Sequence, residues 1–270
     1  MRVTSSLEAD WTSDLALAAR MADAADAQSM ARYRATDLRI ETKPDLTPVT
    51  EADQAVERLI RDMLAAERPD DLIVGEEFGG DDALTPVRRW IVDPIDGTKN
   101  YVRGVPVWAT LIALADADGI ALGFVSAPAL GRRWWATRDG GAFTRDVDGS
   151  TRAIHVSAVA NISDASFSFS DAVGWDLHGE AGPTGLQTLV SSAWRTRGYG
   201  DFLSHMLVAE GAVDIAAEPQ LAPWDVAALV PIVEAAGGRM TGYDGRSCLE
   251  SGSGLTSNGL LHDYALGLFR

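Results

Sequence analysis

Apolar positions fall into two rhythms along the 270-residue chain. Ala52, Ala55, Val56, Leu59, Ile60, Met63 and Leu64 recur at three- and four-residue steps, which predicts an amphipathic helix opening at Thr50 with Asp53 in its first turn. An Ala-rich run to about residue 33 predicts an earlier helix, with Ser5 and Glu8 at capping-box spacing. Short apolar runs follow at 72–74, 90–92, 107–114, 120–126 and 132–137, separated by turn pairs such as Asp118-Gly119 and Gly140-Gly141. They predict a strand-rich stretch with antiparallel pairing. Past about residue 160 the rhythm alternates. Strands are expected at 165–170, 194–197, 213–216 and 239–241, and helices at 185–191, 202–210, 224–236 and 260–269. Gly237-Gly238 stops the third of these helices, and Pro231 inside it predicts a kink or a local break. The pattern is that of a layered α/β (α+β) protein whose sheets are covered by helices. We expect one domain over 1–270, with an N-terminal half to about 155, a C-terminal half from about 156, and a seam at 154–163.

Composition narrows the function classes. The chain carries 39 acidic and 23 basic residues, a net charge of −16, which disfavours a nucleic-acid partner. Its single cysteine, Cys248, allows neither an intrachain disulfide nor a cysteine metal cluster. The first residues lack the basic start and apolar run of a secretory signal, and the most apolar region, 107–130, is interrupted by Asp116, Asp118 and several glycines. A cytoplasmic protein with no membrane span is expected.

The most informative segment is Trp90-Ile91-Val92-Asp93-Pro94-Ile95-Asp96-Gly97-Thr98. A buried strand ends in an acid, turns at Pro94 and presents a second acid three residues on. Two carboxylates this close raise each other's pKa unless a cation sits between them. Oxygen donors without neighbouring His or Cys favour magnesium over zinc. None of the four histidines has metal-ligand spacing to another. Glu76-Glu77 after the 72–74 run, Asp225 after Pro223, and Asp53 add acids at element ends; Asp53 or Asp225 alone would pass for an ordinary helix-start acid. The backbone N–H groups of Gly97 and Thr98 open a helix and are ready donors to a phosphate. A haloacid-dehalogenase nucleophile needs Asp-x-Asp, whereas the spacing here is Asp-x-x-Asp. There is no Walker A run, and Gly252-Ser253-Gly254 lacks the third glycine of a dinucleotide fingerprint.

The set Gly75-Glu76-Glu77, Asp93-Pro94-Ile95-Asp96-Gly97-Thr98, Trp224-Asp225-Val226-Ala227-Ala228, Glu234-Ala235-Ala236-Gly237-Gly238 and Val49-Thr50-Glu51-Ala52-Asp53 resembles the inositol monophosphatase family, the lithium-sensitive, magnesium-dependent phosphomonoesterases, in order and spacing from about residue 10 to 265. The resemblance implies an α-β-α-β-α layered sandwich, a homodimer, a small phosphate monoester as substrate and two to three Mg²⁺ per site. It implies that Glu76, Asp93 and the Ile95 carbonyl hold the first ion, that Asp93, Asp96 and Asp225 hold the second, and that Asp53 and Glu76 hold a weaker third. Thr98 with Glu76 would orient the attacking water. Lys43 matches a family lysine near the metals, though a solvated loop lysine is an equal reading, and Thr47 stands where the family usually carries an acid.

Lys99-Asn100-Tyr101-Val102-Arg103-Gly104-Val105-Pro106-Val107-Trp108, Tyr199-Gly200-Asp201-Phe202 and the helix with Pro231 look like the histidinol-phosphatase branch. That implies L-histidinol phosphate as substrate, with Asp201 and Glu218 facing its cationic alcohol and Asn258 a further contact. Asp201 also reads as a helix cap. Inositol-1-monophosphatase and 3′-phosphoadenosine nucleotidase are the alternatives within the family. A non-catalytic binding protein is disfavoured because every acid of the metal set is present.

Overall fold

The computed structural model describes residues 11–44, 46–80 and 83–270. The Ser5–Glu8 capping box lies outside them. In chain order, α1 (Thr12–Arg32) leads to a short hairpin, β1 (Ile40–Thr42) and β2 (Pro48–Thr50), and then to α2 (Glu51–Glu67). Next come β3 (Leu72–Gly75), β4 (Arg89–Asp96), α3 (Thr98–Arg103), β5 (Ala109–Asp116), β6 (Gly119–Ala127), β7 (Arg132–Thr137), β8 (Gly141–Arg145) and β9 (Thr151–Ala153). The second half holds β10 (Ser166–Ser168), α4 (Ala181–Ser192), β11 (Arg195–Arg197), α5 (Asp201–Ala209) and β12 (Ile215–Glu218). It closes with α6 (Pro223–Ala227), α7 (Leu229–Ala235), β13 (Arg239–Thr241), α8 (Cys248–Ser251), β14 (Gly254–Ser257) and α9 (His262–Gly267).

Strands β3 to β9 form a seven-stranded sheet in sequence order, and β11-β10-β12-β14-β13 a five-stranded one. Alternation along the strands explains the layering. Trp90 and Val92 of β4, Ile112 and Leu114 of β5, and Leu122 and Phe124 of β6 pack on the apolar faces of α1 and α2. The neighbouring positions Ile91, Leu111, Ala113 and Val125 turn to the other side, against α5, α6 and α7. The five-stranded sheet lies beyond those helices, and its outer face buries Phe167, Ile215 and Leu255 against Leu189 of α4 and Ala265 and Leu266 of α9. The order of layers is therefore α-β-α-β-α, as the resemblance implied. Among the described residues, no helix is long and apolar enough to cross a membrane.

One expectation is corrected, and the break expected from Pro231 is found. β3 and β4 pair parallel, while the other neighbours in the larger sheet pair antiparallel. The helix expected over 224–236 is two helices that part at Ala228. Pro231 is the third residue of α7, where its missing N–H would have had no helical partner, and its ring excludes a continuous helix through Ala227.

Candidate active site

The cleft opens between the sheets at the ends of β4 and β12, with a volume of about 810 Å³. β4 delivers two acids to it through a bulge. Its register against β5 pairs Asp93 with Leu111 and Asp96 with Ala109, so three steps on one strand oppose two on the other. Residues three apart on a regular strand point to opposite faces; the extra residue brings both acids to one side. Pro94 sits in the bulge with no N–H to leave unpaired, and its carbonyl accepts from Thr110 Oγ1 at 2.8 Å. Asp93 Oδ1 accepts the Ile95 N–H at 3.0 Å, which fixes the turn.

Asp225 comes from the opposite layer, as the third residue of α6. One of its oxygens, Oδ2, accepts the Ala222 N–H at 2.7 Å. The cap uses that oxygen alone, so Oδ1 can still face a ligand. Asp93, Asp96 and Asp225 each place a carboxylate oxygen within 4.8 Å of the others'. Burial, and then the charge of Glu76, push Asp93 well above the usual carboxylate range. Burial and the charges of Asp201 and Asp225 do the same to Asp96. Burial pushes Asp225 up to about 7. An all-oxygen set, buried at Asp93 and half-buried at Asp96 and Asp225, with this much mutual repulsion and no His or Cys suits a hard divalent cation.

Glu76 follows β3 and lines the cleft. Lys43 Nζ donates to Glu76 Oε1 and to Glu77 Oε1, each at 2.8 Å, so Lys43 is a bridging residue and not a solvated one. Burial works to depress its pKa, but the two carboxylates outweigh it and hold it raised. Asp53 is fully buried as the third residue of α2. Its Oδ2 accepts the Thr50 N–H at 2.8 Å, while its Oδ1 accepts from Thr98 Oγ1 at 3.3 Å. Thr98 Oγ1 also lies 3.0 Å from the Ile95 carbonyl. Gly97, at φ +79°, starts α3 in a left-handed conformation that favours glycine. Tyr101 anchors this short helix to α1 by donating its hydroxyl to the Ser29 carbonyl at 2.7 Å.

Asp201 and Glu218 line the far wall. Asp201 is the first residue of α5, but its side chain does not cap that helix. Oδ2 instead accepts from Asn100 Nδ2 at 2.6 Å, at a left-handed φ of +47°. The next residue, Phe202, donates its N–H to Asp96 Oδ2 at 3.0 Å, which ties this wall to the acid cluster. Ser170 joins the pair: its Oγ accepts the Asp201 N–H at 2.6 Å and donates to Glu218 Oε1 at 2.5 Å. Burial pushes Asp201 up to about 6, against the opposing pull of Lys99 and Asn100. It pushes Glu218 up to about 8.

Asn258 is a correction. It is not among the cleft residues, and its amide is used in the fold: Nδ2 donates to Ser157 Oγ at 2.9 Å and the Val159 carbonyl at 2.8 Å, and Oδ1 accepts the Leu261 N–H at 3.2 Å. Asn100 and Ser170, which hold the far wall together, escaped the sequence reading. Asn100 lay inside the segment already singled out, but its partner is a hundred residues away in the chain.

The profile described as the inositol monophosphatase family matches residues 10–270. A protein of Streptomyces coelicolor named histidinol-phosphatase is 56% identical over 262 residues, which span 96% of this chain and 97% of that one. A protein of the same name from Mycobacterium tuberculosis is 56% identical over 259 residues, or 94% and 96% of the two chains. The solved structure of an inositol monophosphatase from Zymomonas mobilis superposes with a TM-score of 0.82 at 30% identity, covering 97% of this chain and 99% of that one.

Proposed function

The chain belongs to the inositol monophosphatase family, and from that premise we propose that it is a magnesium-dependent phosphatase that hydrolyses L-histidinol phosphate to L-histidinol and phosphate. The observation that carries the substrate is the 56% identity, over nearly the whole length of both chains, to relatives named histidinol-phosphatase. The far wall of the cleft supports it. Histidinol brings an ammonium group and an imidazole, and two acids there, Asp201 and Glu218, suit a cationic alcohol better than neutral inositol.

In this reading Asp93, Asp96, Asp225, Glu76 and the Ile95 carbonyl hold Mg²⁺, with Asp53 at the edge of the set. When bound, the ions neutralise phosphate charge and make water a better nucleophile. Phosphoryl transfer then needs mainly alignment. The N–H groups of Gly97 and Thr98 hold phosphate oxygens. Asp53 and the Ile95 carbonyl fix the Thr98 hydroxyl, which with Glu76 orients the attacking water in line with the ester bond. Water oxygen bonds to phosphorus and the ester P–O bond breaks; of the water's two protons one stays on the phosphate, and the one it gives up is matched by the one the histidinol oxygen takes up from solvent.

The test is kcat/KM for histidinol phosphate against inositol 1-phosphate, each with Mg²⁺ and with EDTA. A ratio well above one, with activity that chelation removes, is expected. In Asp201→Asn the loss should fall mainly on KM for histidinol phosphate, because that contact exists in the ground state as well as the transition state. A ratio below one overturns the substrate, and activity that survives exhaustive chelation overturns the mechanism.

A further inference from the structure

Glu57 is fully buried on α2, one turn beyond Asp53, and nothing in the chemistry above uses it. A buried carboxylate is costly unless hydrogen bonds satisfy it. Here Oε2 accepts the Glu77 backbone N–H at 2.7 Å, and Oε1 accepts the Phe78 N–H at 3.2 Å. Arg61, a further turn along α2, donates Nε–H to Oε1 at 2.8 Å and an Nη2 proton to the Gly79 carbonyl. The turn that carries Glu76 is closed on itself by Gly75 N–H to Gly79 O at 3.0 Å. Glu57 and Arg61 therefore grip its backbone from below, while Lys43 bridges the side chains of Glu76 and Glu77.

The grip depends on an unusually close approach. A β-carbon on Gly75 would lie 2.0 Å from Glu57 Oε1, 2.4 Å from its Cδ and 2.8 Å from Oε2, and these are the three nearest atoms. Gly75 is not among the glycines at positive φ, so its missing side chain serves this contact and not a backbone requirement. Hydrogen bonds from N–H groups to a carboxylate are roughly twice as strong as neutral ones, which suits a clamp on a short turn.

We propose that Glu57 is a positioning residue for the cation site: its carboxylate clamps the Glu76–Phe78 turn against α2, through a gap that glycine at position 75 leaves open, and so fixes where Glu76 presents its oxygens. This rests on the reading of Glu76 as a cation ligand. One face of α2 then sets two parts of the site, with Asp53 directed to Thr98 and Glu57, four residues on, to the Glu76 turn.

The test titrates Mg²⁺ calorimetrically into metal-free protein and follows turnover against Mg²⁺, for the wild type, Glu57→Gln, Glu57→Ala, Gly75→Ala, the Glu57→Ala/Gly75→Ala double variant and Glu76→Gln. Glu57→Gln keeps the size but sets an NH₂ donor against a backbone N–H. Gly75→Ala keeps Glu57 but drives its carboxylate away. Each should weaken Mg²⁺ binding and raise the half-saturating Mg²⁺ by roughly tenfold or more. KM for histidinol phosphate at saturating Mg²⁺ should move by less than about twofold, a split that general loosening of the fold would not give. On the Glu57→Ala background, Gly75→Ala should add less than about twofold, because the atoms it would strike are gone. Wild-type Mg²⁺ binding in Glu57→Gln and Gly75→Ala, with binding lost in Glu76→Gln, overturns the clamp alone, as does an additive double variant. Unchanged binding in Glu76→Gln overturns the premise along with the clamp.

Discussion

Glu218 shows how far one side chain is held from its ordinary state. It ends β12 only 5% exposed, and burial pushes its pKa to about 8 from an ordinary 4.5, with a smaller push from Asp201 and an opposing pull from Ser170. A carboxyl whose folded pKa is raised binds more protons folded than unfolded between those two values. Its contribution to stability is therefore fully present below about pH 4.5 and is lost as the pH rises through about 8. We expect the Tm of metal-free, substrate-free protein to fall between pH 5 and 8, and the fall to be shallower in Glu218→Gln. Equal slopes in the two proteins would show that Glu218 ionises normally. On the proposed function, a cationic alcohol would reverse the balance by giving the ionised acid a partner, and the burial that destabilises the empty cleft would then favour such a ligand. At this scale the sequence discloses the acids at element ends, Glu76, Asp93, Asp96 and Asp225, because a strand or helix boundary is a local signal. It does not disclose Asn100, Ser170 or Glu57, whose partners are brought to them by the fold, nor that Asn258 is spent on tying the segment around Val159 to the turn at Leu261.

Elements meet in this protein where small residues let backbones touch. Gly123 lies in the middle of β6, and a β-carbon there would stand 2.1 Å from the Ala228 carbonyl and 2.7 Å from Pro231 Cγ. The break between α6 and α7 is thus pressed directly onto the seven-stranded sheet. The break places Asp225 at the start of one helix over the cleft while α7 continues across the sheet toward β13. Gly123→Ala should push the α6–α7 corner off the sheet at a cost of about 1–3 kcal/mol, as core overpacking does. The check is thermal unfolding: Tm should drop by several degrees, and an unchanged Tm would mean that the corner gives way freely. Regular elements were largely legible. The run 132–137 is β7, and 239–241 is β13, because turn residues bracket both. The direction of β3 beside β4 was not, since a short apolar run carries no mark of which way it points. The bulge between Asp93 and Asp96 was also hidden, although the odd spacing of two acids that must share one face was its trace. Pro231 announced a break, but its place at Ala228 is set by the proline ring's reach back along the helix and by the gap at Gly123.

Across the whole molecule, the acid set is assembled from both sides of the cleft. Asp93 and Asp96 end a strand of the larger sheet, Asp225 heads a helix of the middle layer, and the Phe202 N–H of α5 reaches across to Asp96. Without a cation, three mutually repelling carboxylates sit within 4.8 Å of one another between those layers, in a chain already at −16. Folding therefore works against this cluster whenever it is ionised, and a divalent ion that binds the folded form alone should stabilise the protein by mass action. The size of that effect is set by ion concentration over affinity, about 2.7 kcal/mol at a hundredfold excess over Kd. It should grow with pH, because the ion binds deprotonated carboxylates and must otherwise displace protons from groups held as high as about 7 in Asp225. We expect Mg²⁺ to raise Tm more at pH 8 than at pH 6, and Asp96→Asn to lose most of that increment while its metal-free Tm stays at or above the wild-type value, because the substitution removes one of the repelling charges. Turnover in the same variant should fall by several orders of magnitude, since the ion's neutralising charge is then misplaced at the phosphate. A Tm that ignores Mg²⁺ at both pH values, or an Asp96→Asn protein that responds to Mg²⁺ as fully as the wild type, would separate the acidic cluster from the cation and leave its cost to folding without a compensating ligand.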